Sequence, residues 1–398
     1  MTSYEDHKAF SKAFKETLIA YAFDFGGVVA GFLVAYYFNV FQSYPWAIAV
    51  YPTILSARGM ISGLFSGRLG TALHLGTIYP KFFGNTKSFY VLFDAIIVLT
   101  LETSIFMSCV SMFFGSVFWG ISPEVFFDIF AVVVSTMTFG LILSFITMGV
   151  GFTTFKKGLD PDVIEYPIMS TVADIFITMC YIFVLVLYGF SKYAVVFVMF
   201  FHIFLTLYLV LRDFKTNEFI KTLKESLATL LIVAFIVNIT GTMLNRISII
   251  VEGRKEIYSV YPALIDTVGD VGSVVGSTAT TKLALGLLKP SFTAMRNHSQ
   301  QIFAAWASAV VYFVLFSALS LSINNMLSPS AFLGFTTLLL IANLIAVSAI
   351  IIISFAVAIL TFQKGLDPDN FVIPIESSLA DSITTIALLV ALFLVGEF

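Results

Sequence analysis

Charged residues are scarce in this chain, and their scarcity excludes the soluble globular proteins. Asp, Glu, Lys and Arg make up 11% of the 398 residues, whereas they make up about a quarter of an ordinary soluble domain. Hydrophobic residues make up 59%, and they occur in apolar runs of about 20 residues or more, the length of a helix that crosses a bilayer. The composition therefore predicts a protein that lies in a membrane.

Several features of soluble and nucleic-acid-binding proteins are also missing. The two cysteines, Cys109 and Cys180, lie inside apolar runs and have neither a disulfide nor a metal-site spacing. The four histidines form no cluster, and no basic patch with interleaved aromatic residues occurs. The apolar runs do not alternate with polar residues, so a membrane β-barrel is not expected. We expect no cofactor, no nucleic-acid partner, and the lipid bilayer as the surrounding medium.

Eleven apolar stretches are long enough to cross the membrane, and they predict an all-α polytopic membrane protein. Because every backbone polar group inside the bilayer needs a partner within the protein, helix is the expected conformation of each stretch. The predicted spans are residues 16–40, 47–78, 88–119, 125–155, 167–188, 193–211, 223–250, 259–288, 301–323, 331–361 and 372–395.

Basic residues are distributed unequally between the two sides that these spans define. Fourteen lysine and arginine residues fall on one side, among them Lys8, Lys156 and Lys364, and four fall on the other. Because cytoplasmic loops carry the excess of Lys and Arg, we expect a cytoplasmic N-terminus and an external C-terminus, with the protein in the cell membrane.

Three blocks of sequence recur in the same order in the second half of the chain. The offsets between the matching blocks are 209, 210 and 207 residues. The matched pairs are 15–18 with 224–227, 51–76 with 261–286, and 157–174 with 364–381. A nearly constant offset over three collinear blocks indicates an internal duplication.

Each copy holds five spans, and one further span lies between the copies. Since five is odd, a second copy that followed directly would be inverted, and the span at 193–211 returns the chain to the starting side. We therefore expect two parallel five-helix repeats, related by a pseudo-two-fold axis along the membrane normal. Because two repeats can replace a homodimer, a monomer is the expected state. The predicted regions are a cytoplasmic segment 1–15, the first repeat 16–190, a linking helix and loop 191–222, and the second repeat 223–398.

Asp174 and Asp381 occupy the same position in the fifth span of each repeat. Each lies seven residues after a proline, Pro167 or Pro374, that we expect to start the helix. An ionisable residue inside a span is costly, so its default interpretation is functional. We expect both to bind a metal ion, and the alternative is a carboxylate that caps a helix or pairs with a base. Hydroxyl residues lie one turn before and after each: Ser170 and Thr178, and Ser377 and Thr385.

The second span of each repeat carries another polar face. Its candidate metal ligands are Asp266 and Asp270, and its candidate pore-lining or packing residues are Gly59, Gly269, Gly272 and Arg58. The glycines also fit close packing between helices. A buried arginine needs a partner, and the pattern predicts Asp266 or Asp270 of the other repeat as the partner of Arg58.

Two acidic Gly-Leu-Asp-Pro-Asp loops precede the fifth spans on the predicted cytoplasmic side. Asp-Pro favours the start of a helix, and acids stabilise a helix N-terminus. The alternative is an acidic collar that concentrates cations at a cytoplasmic mouth. The four acids are Asp160, Asp162, Asp367 and Asp369.

With these motifs, the five-span unit resembles the membrane domain of the MgtE-type magnesium transporters. The duplicated form resembles their fused-repeat relatives, among them the animal solute-carrier magnesium transporters. The resemblance rests on the Tyr-Pro…Gly…Leu-Gly second spans and the Leu-Asp-Pro-Asp…Pro…Ala-Asp blocks, and it extends from about residue 15 to 398. It implies that Asp174 and Asp381 line a central ion site. The family's second span usually carries Gly-Asn, where this chain has Gly59-Met60 and Gly269-Asp270.

These features predict a transporter of divalent cations, Mg2+ first, rather than an enzyme. Mg2+ usually keeps several waters while one or two carboxylates contact it, which suits paired aspartates between two repeats. The nearest alternative is an exchanger that couples a divalent cation to Na+ or H+. An intramembrane aspartyl protease would also use two aspartates, but in unlike motifs, and a purely structural protein would not explain the repeated carboxylates.

The eleven-span topology predicts which loops an impermeant thiol reagent reaches. Single cysteines at positions 215 and 365 should resist labelling from outside intact cells, whereas a cysteine at 255 should react. Labelling is read as a mass shift, and permeabilised cells, in which all three positions should react, provide the control. External labelling at 365 would contradict the span count.

Overall fold

The structure is a computed structural model that describes residues 2–157, 161–251, 253–365 and 369–396. Within these ranges the chain is helical and contains no strand. Nine stretches of the described chain are long and apolar enough to cross a membrane, and Leu379–Val395 is a shorter apolar helix. The predicted all-α polytopic class is therefore confirmed.

Fourteen α-helices and three short 3-10 segments make up the described chain. The helices are α1 (Thr2–Ala20), α2 (Phe25–Tyr36), α3 (Phe38–Gln42), α4 (Ala47–His74), α5 (Lys87–Phe118), α6 (Phe126–Gly140), α7 (Ile142–Lys156), α8 (Pro161–Phe190), α9 (Lys192–Asp213), α10 (Asn217–Ile250), α11 (Lys255–Ala284), α12 (Ser299–Ile323), α13 (Pro329–Gln363) and α14 (Asp369–Val395). The 3-10 segments are Tyr21–Asp24, Pro123–Val125 and Phe292–His298.

Two predicted spans are interrupted within the membrane-spanning stretch. The first span consists of α1, the 3-10 turn Tyr21–Asp24 and α2. The fourth span of the first repeat is divided into α6 and α7 at Leu141, whereas its counterpart in the second repeat, α13, is one helix of 35 residues. The two sequence repeats therefore differ in the continuity of their fourth helix.

The start of each fifth helix differs from the expected position. The prediction that Pro167 and Pro374 start these helices is wrong, because α8 already begins at Pro161 and α14 at Asp369. Pro161 is favoured at the first helical position, where its missing N–H has no partner to lose. Prolines such as Pro167 are tolerated inside membrane helices because neighbouring groups satisfy the freed carbonyl.

The helices form two compact units that do not coincide with two continuous halves of the chain. One unit is Tyr36–Asn245, and the other combines Met1–Ala35 with Arg246–Phe398. The first span of the chain thus belongs to the unit that holds α11 to α14. Most of α10, the first span of the second repeat, belongs to the unit that holds α4 to α9. The predicted boundaries of the repeats along the sequence stay a prediction.

In the unit that contains both chain ends, glycines bring α2 against α11. A Cβ added to Gly27 would lie 2.6 Å from the backbone nitrogen of Ala263, and one added to Gly31 would lie 2.4 Å from the carbonyl oxygen of Ser259. A spacing of four residues puts both glycines on one helix face. Only a side chain as small as hydrogen permits such an approach. The hydroxyl of Tyr312 on α12 donates to the carbonyl of Leu18 at 2.6 Å, which ties α1 to the same unit.

In the unit Tyr36–Asn245, side-chain hydrogen bonds hold α10 against the helices of the first repeat. Ser111 of α5 donates to Asn238 at 2.8 Å, and the indole of Trp119 donates to Thr242 at 2.9 Å. The linking helix α9 is held at its C-terminal end by an ion pair between Arg212 and Asp94. The linking helix α9 and α10, the first helix of the second repeat, therefore pack in the same unit.

The close approach of α2 to α11 predicts that Gly31→Ala destabilises the protein. The added methyl group must displace backbone atoms of α11, and overpacking of this kind costs about 1–3 kcal/mol. Thermal unfolding of the purified protein in detergent measures the loss. Gly334→Ala in α13 is the matched control, because nothing lies within 4 Å of a Cβ added there. Equal thermal stability of both variants would contradict the proposed packing.

Candidate functional site

Asp174 and Asp381 lie in equivalent surroundings, each within its own unit. Asp174 is on α8 and Asp381 on α14, and both are half-buried. The backbone carbonyl of each aspartate accepts a hydrogen bond from the threonine one turn later. Thr178 Oγ1 lies 2.6 Å from the carbonyl oxygen of Asp174, and Thr385 Oγ1 lies 2.6 Å from that of Asp381.

A tyrosine from the second helix of the same repeat completes this arrangement. The hydroxyl of Tyr51 lies 2.9 Å from Thr178 Oγ1, and the hydroxyl of Tyr261 lies 2.7 Å from Thr385 Oγ1. Because the threonine proton is donated to the aspartate carbonyl, the threonine oxygen must accept the proton of the tyrosine. The tyrosine and threonine side chains of both sets are buried.

This Tyr–Thr–Asp chain joins the second helix to the fifth helix in both units. Buried polar groups are costly when unpaired, so a fully paired chain favours one rotation of the fifth helix. The rotation in turn determines the direction of the aspartate side chain one turn away. The same bonds therefore position Asp174 and Asp381 alike.

The tyrosines are the residues of the candidate site that sequence reasoning missed. Tyr51 and Tyr261 are visible in the sequence as part of the matching Tyr-Pro blocks, without an assigned role. The available signal was the recurrence of a hydrogen-bonding aromatic residue at one position of both repeats. Its partners, Thr178 and Thr385, were predicted as hydroxyl neighbours of the aspartates. That they pair with tyrosines of another helix depends on tertiary packing.

Not every predicted member of the site can be placed. Asp174 and Asp381 belong to different units, so their approach to one another stays a prediction. The side chains of Ser170 and Ser377 lie outside the described part of the structure. Among the described residues, no group of three or more His, Cys, Asp or Glu side chains lies close enough to hold a metal ion.

Asp24 of the first span adds a third carboxylate beside the acidic face of α11. Asp266 and Asp270 are half-buried on α11. Between them in sequence, the hydroxyl of Thr267 donates to Asp24 Oδ2 at 2.6 Å. Asp24 lies on the 3-10 turn, where the interruption of the helix brings its buried side chain to α11. This unit therefore places three carboxylates on or beside one stretch of α11.

The candidate glycines of the second helices have different surroundings. Gly59 is exposed in its unit, and nothing lies within 4 Å of a Cβ added there. Close packing therefore does not explain Gly59, and its pore-lining role stays a prediction. Gly272 is buried and Gly269 is half-buried on α11.

Arg58 is completely buried on α4, and its partner differs from the predicted one. The pattern predicts a carboxylate from Asp266 or Asp270, whereas the structure places the hydroxyl of Ser144 3.3 Å from Arg58 Nη2. The two other nitrogens of the guanidinium, Nε and Nη1, have no hydrogen-bond partner among the described residues.

The acidic loops are described only in part. Asp160 and Asp367 lie outside the described residues. Asp162 is the second residue of α8, and Asp369 is the first residue of α14. These positions agree with the interpretation of the loops as helix starts, and the cation collar stays a prediction.

Comparison with known proteins identifies one family. A family model described as MgtE, divalent cation transporter, matches residues 51–184 and again residues 261–391. The two matched segments cover more than half of the chain, and each contains one complete Tyr–Thr–Asp chain. No curated protein and no solved structure matches the chain.

The Tyr–Thr–Asp chains predict that Tyr51→Phe and Tyr261→Phe each destabilise the protein and impair ion flux. Each change removes the proton donor of a buried threonine oxygen, and the loss of such a hydrogen bond costs about 1 kcal/mol. Thermal unfolding and flux into liposomes measure the two effects. Tyr193→Phe is the control, since 87% of the Tyr193 side chain is exposed. Site variants that behave like this control would exclude a positioning role of the tyrosines.

Proposed function

Because the chain belongs to the MgtE family of divalent cation transporters, we propose that it conducts Mg2+ across the membrane along a pathway between its two repeats. In this proposal Asp174 and Asp381 bind the ion, and Tyr51, Thr178 and their counterparts position the two carboxylates. The bound ion is the transported substrate, and no resident cofactor is involved.

The observation that carries the proposal is the repetition of the Tyr–Thr–Asp chain. Two equivalent sets of buried hydrogen bonds present one carboxylate each, at matching positions of the fifth helices. A carboxylate that only capped a neighbouring helix would have no need of the same supporting bonds in both repeats. A dyad that faces a shared pathway does need them, because both ligands must be placed alike.

The chemistry of this dyad suits Mg2+. The ion gives up its water reluctantly, and it is usually bound by one or two carboxylates together with several waters. Asp174 and Asp381 are half-buried, so the protein does not fully enclose either side chain, and in this proposal both face a water-filled pathway. Two carboxylates match the double charge of the ion, and the retained waters complete its octahedron. A weak, partly hydrated site also allows the ion to leave again.

Protons compete with the metal ion for the same carboxylates. Metal ligands must be deprotonated, so binding releases protons and weakens as the pH falls. In the absence of a cation, two facing carboxylates repel one another, and the bound ion removes this repulsion. The proposal therefore includes a flux that decreases at acidic pH.

One observation favours the exchanger as a second candidate. Asp24 is hydrogen-bonded to Thr267 beside Asp266 and Asp270, and the matching position in the second repeat is an uncharged residue, Val233. An exchanger needs a site for the coupled Na+ or H+, and this acidic group is a candidate that only one of the two units carries, because Asp24 of the first repeat packs there with Asp266 and Asp270 of the second. Liposomes distinguish the mechanisms: Mg2+ flux that follows the membrane potential alone indicates a channel, and flux that requires a Na+ or proton gradient indicates an exchanger.

The proposal predicts that Asp174→Asn and Asp381→Asn each lower divalent flux severely and that the double variant abolishes it. Asparagine keeps the shape of the side chain and removes one charge, so the Tyr–Thr bonds to the backbone should persist and the protein should still fold. Uptake of Mg2+ into proteoliposomes measures the flux, and thermal unfolding measures the stability.

Asp128→Asn provides the matched control for this experiment. Asp128 lies 3.3 Å from Lys192, at a position where both side chains contact solvent. Its loss should leave Mg2+ flux unchanged, because exposed ion pairs contribute little. Near-normal flux through the double variant would remove Asp174 and Asp381 from the ion path.

A further inference from the structure

The two loops that follow the second helices begin with the same backbone turn. The α4–α5 loop is residues 75–86, and the α11–α12 loop is residues 285–298. Gly76 and Gly286 have φ angles of +68° and +69°, a left-handed conformation that glycine adopts without strain. The N–H that follows each glycine donates to the carbonyl five residues earlier, which closes both helix ends in the same way.

Each loop buries one apolar side chain and exposes others. Ile78 and its counterpart Leu288 are buried. Apolar residues at two further equivalent positions are exposed: Leu75 at 72% and Leu285 at 67%, and Phe82 at 40% and Phe292 at 55%. Phe83 is 89% exposed, and Tyr79 and Leu287 are exposed as well. Clustered exposed apolar side chains mark a surface that contacts a membrane or a partner.

The side chain of Asn85 organises the α4–α5 loop. Its oxygen accepts from the backbone nitrogens of Tyr79 at 2.9 Å and Thr86 at 2.8 Å, and its amide donates to the carbonyls of Tyr79 and Lys81 at 2.7 Å each. The hydroxyl of Thr86 donates to the carbonyl of Thr77 at 2.6 Å. These bonds satisfy backbone groups that would otherwise need water, so the loop is suited to a medium that is poor in water.

Other residues organise the α11–α12 loop. The 3-10 segment Phe292–His298 forms its second half. The carbonyl of Pro290 accepts from Gln363 Nε2 at 2.6 Å, and the buried His298 places Nε2 3.2 Å from the carbonyl oxygen of Val275. The two loops thus expose apolar side chains at the same positions, although different bonds support them.

The charged residues of both loops are basic. Neither loop contains Asp or Glu. Lys81 is exposed beside Phe82, and its Nζ lies 5.3 Å from the centre of the Tyr79 ring. Lys289 and Arg296 are exposed in the other loop. Phe and Leu together with Lys and Arg are typical of segments that lie in the interface of a membrane, where anionic headgroups attract the basic residues.

The place of the α4–α5 loop in the chain favours lipid over a soluble partner. The loop joins two candidate membrane spans, Ala47–Gly70 and Lys87–Phe118. Both of its ends are therefore close to the membrane surface, on the side that the excess of Lys and Arg predicts to be cytoplasmic. Lipid is the medium that these side chains meet first.

We propose that both loops insert their exposed apolar side chains into the leaflet on the lysine-rich side and that their basic residues bind the phosphates of anionic phospholipids. The inserted residues are Leu75, Phe82 and Phe83 in one loop and Leu285, Leu287 and Phe292 in the other. Each loop thereby fixes the end of its second helix, α4 or α11, at the lipid surface.

Spin labels on the full-length protein, reconstituted in vesicles of phosphatidylcholine and phosphatidylglycerol, measure the depth of the loops. The background carries Cys109→Ala and Cys180→Ala, and the labels are attached through Phe83→Cys or Leu285→Cys. Each label should collide more often with oxygen, which dissolves in lipid, than with a neutral nickel chelate, which stays in water. Lys215→Cys, at an exposed position between α9 and α10, is the control and should show the opposite preference.

A second measurement needs no cysteine-free background. Phe83→Trp in the otherwise natural protein adds one fluorophore at an exposed position, where the change should not disturb folding. Lipids brominated along their acyl chains should quench this added fluorescence.

Lys81→Gln combined with Lys289→Gln tests the contribution of lipid charge. With the natural lysines, adding phosphatidylglycerol to phosphatidylcholine vesicles should raise the oxygen-to-nickel collision ratio at position 83 several-fold. The double variant should lose most of this response. Lys215→Gln, which removes an exposed lysine outside both loops, should retain it.

The insertion is overturned if labels at 83 and 285 meet the nickel chelate as freely as the label at 215, or if brominated lipid leaves the added fluorescence unchanged. That result is expected if the loops bind a soluble protein instead. The binding of anionic lipid is overturned if the collision ratio at 83 is equal in both lipid mixtures or if the double lysine variant responds fully.

Discussion

Inside a hydrocarbon layer, every polar group must find its hydrogen-bond partner within the protein, and this requirement governs the structure at every level. It makes helix the only conformation of the described spans. It also explains why buried threonines and serines so often donate to the carbonyl one turn earlier, as Thr100 and Ser104 do on α5. Where a span is interrupted, the freed groups must be satisfied from elsewhere. At each of the two interruptions of the described spans, a polar side chain is bonded to a side chain of another helix, Asp24 to Thr267 and Ser144 to Arg58.

The Tyr–Thr–Asp chain shows how this requirement can serve function. A carboxylate that binds a passing ion must itself remain accessible. Its direction depends on the backbone that carries it, and this backbone is held by Thr178 and Tyr51 in one unit and by Thr385 and Tyr261 in the other. The supporting bonds are buried, while the aspartates are half-buried. The buried tyrosines and threonines thus hold the helix in place, while the aspartates stay partly exposed.

Duplication within one chain allows the two repeats to differ, which a symmetric homodimer would not allow. The fifth helices have kept the same aspartate and its support. The second and fourth helices have diverged: Arg58 faces a broken span in one repeat, and its counterpart Val268 lies among apolar residues beside the unbroken α13. The acids also differ, since Asp24, Asp266 and Asp270 have no acidic counterparts in the other repeat. In the proposed function the part that both repeats share binds the ion, and the parts that differ between them are free to take on separate roles.

The sequence by itself determined the class of the protein, its helical spans, its internal duplication and the candidate aspartates. These properties follow from composition and from residues that lie close together in the chain, such as Asp174 and Thr178 one helical turn apart. Only the tertiary structure decided which helices pack in one unit. The first span of each repeat packs in the unit that holds the other helices of the opposite repeat, and this arrangement depends on close contacts such as that of Gly31 with Ser259. The tertiary structure also decided that Tyr51 bonds to Thr178, 127 residues away, and that Arg58 bonds to Ser144. The sequences of apolar helices with similar hydropathy do not indicate which helices pack against one another. Steric fit at small residues and single hydrogen bonds determine the neighbours instead.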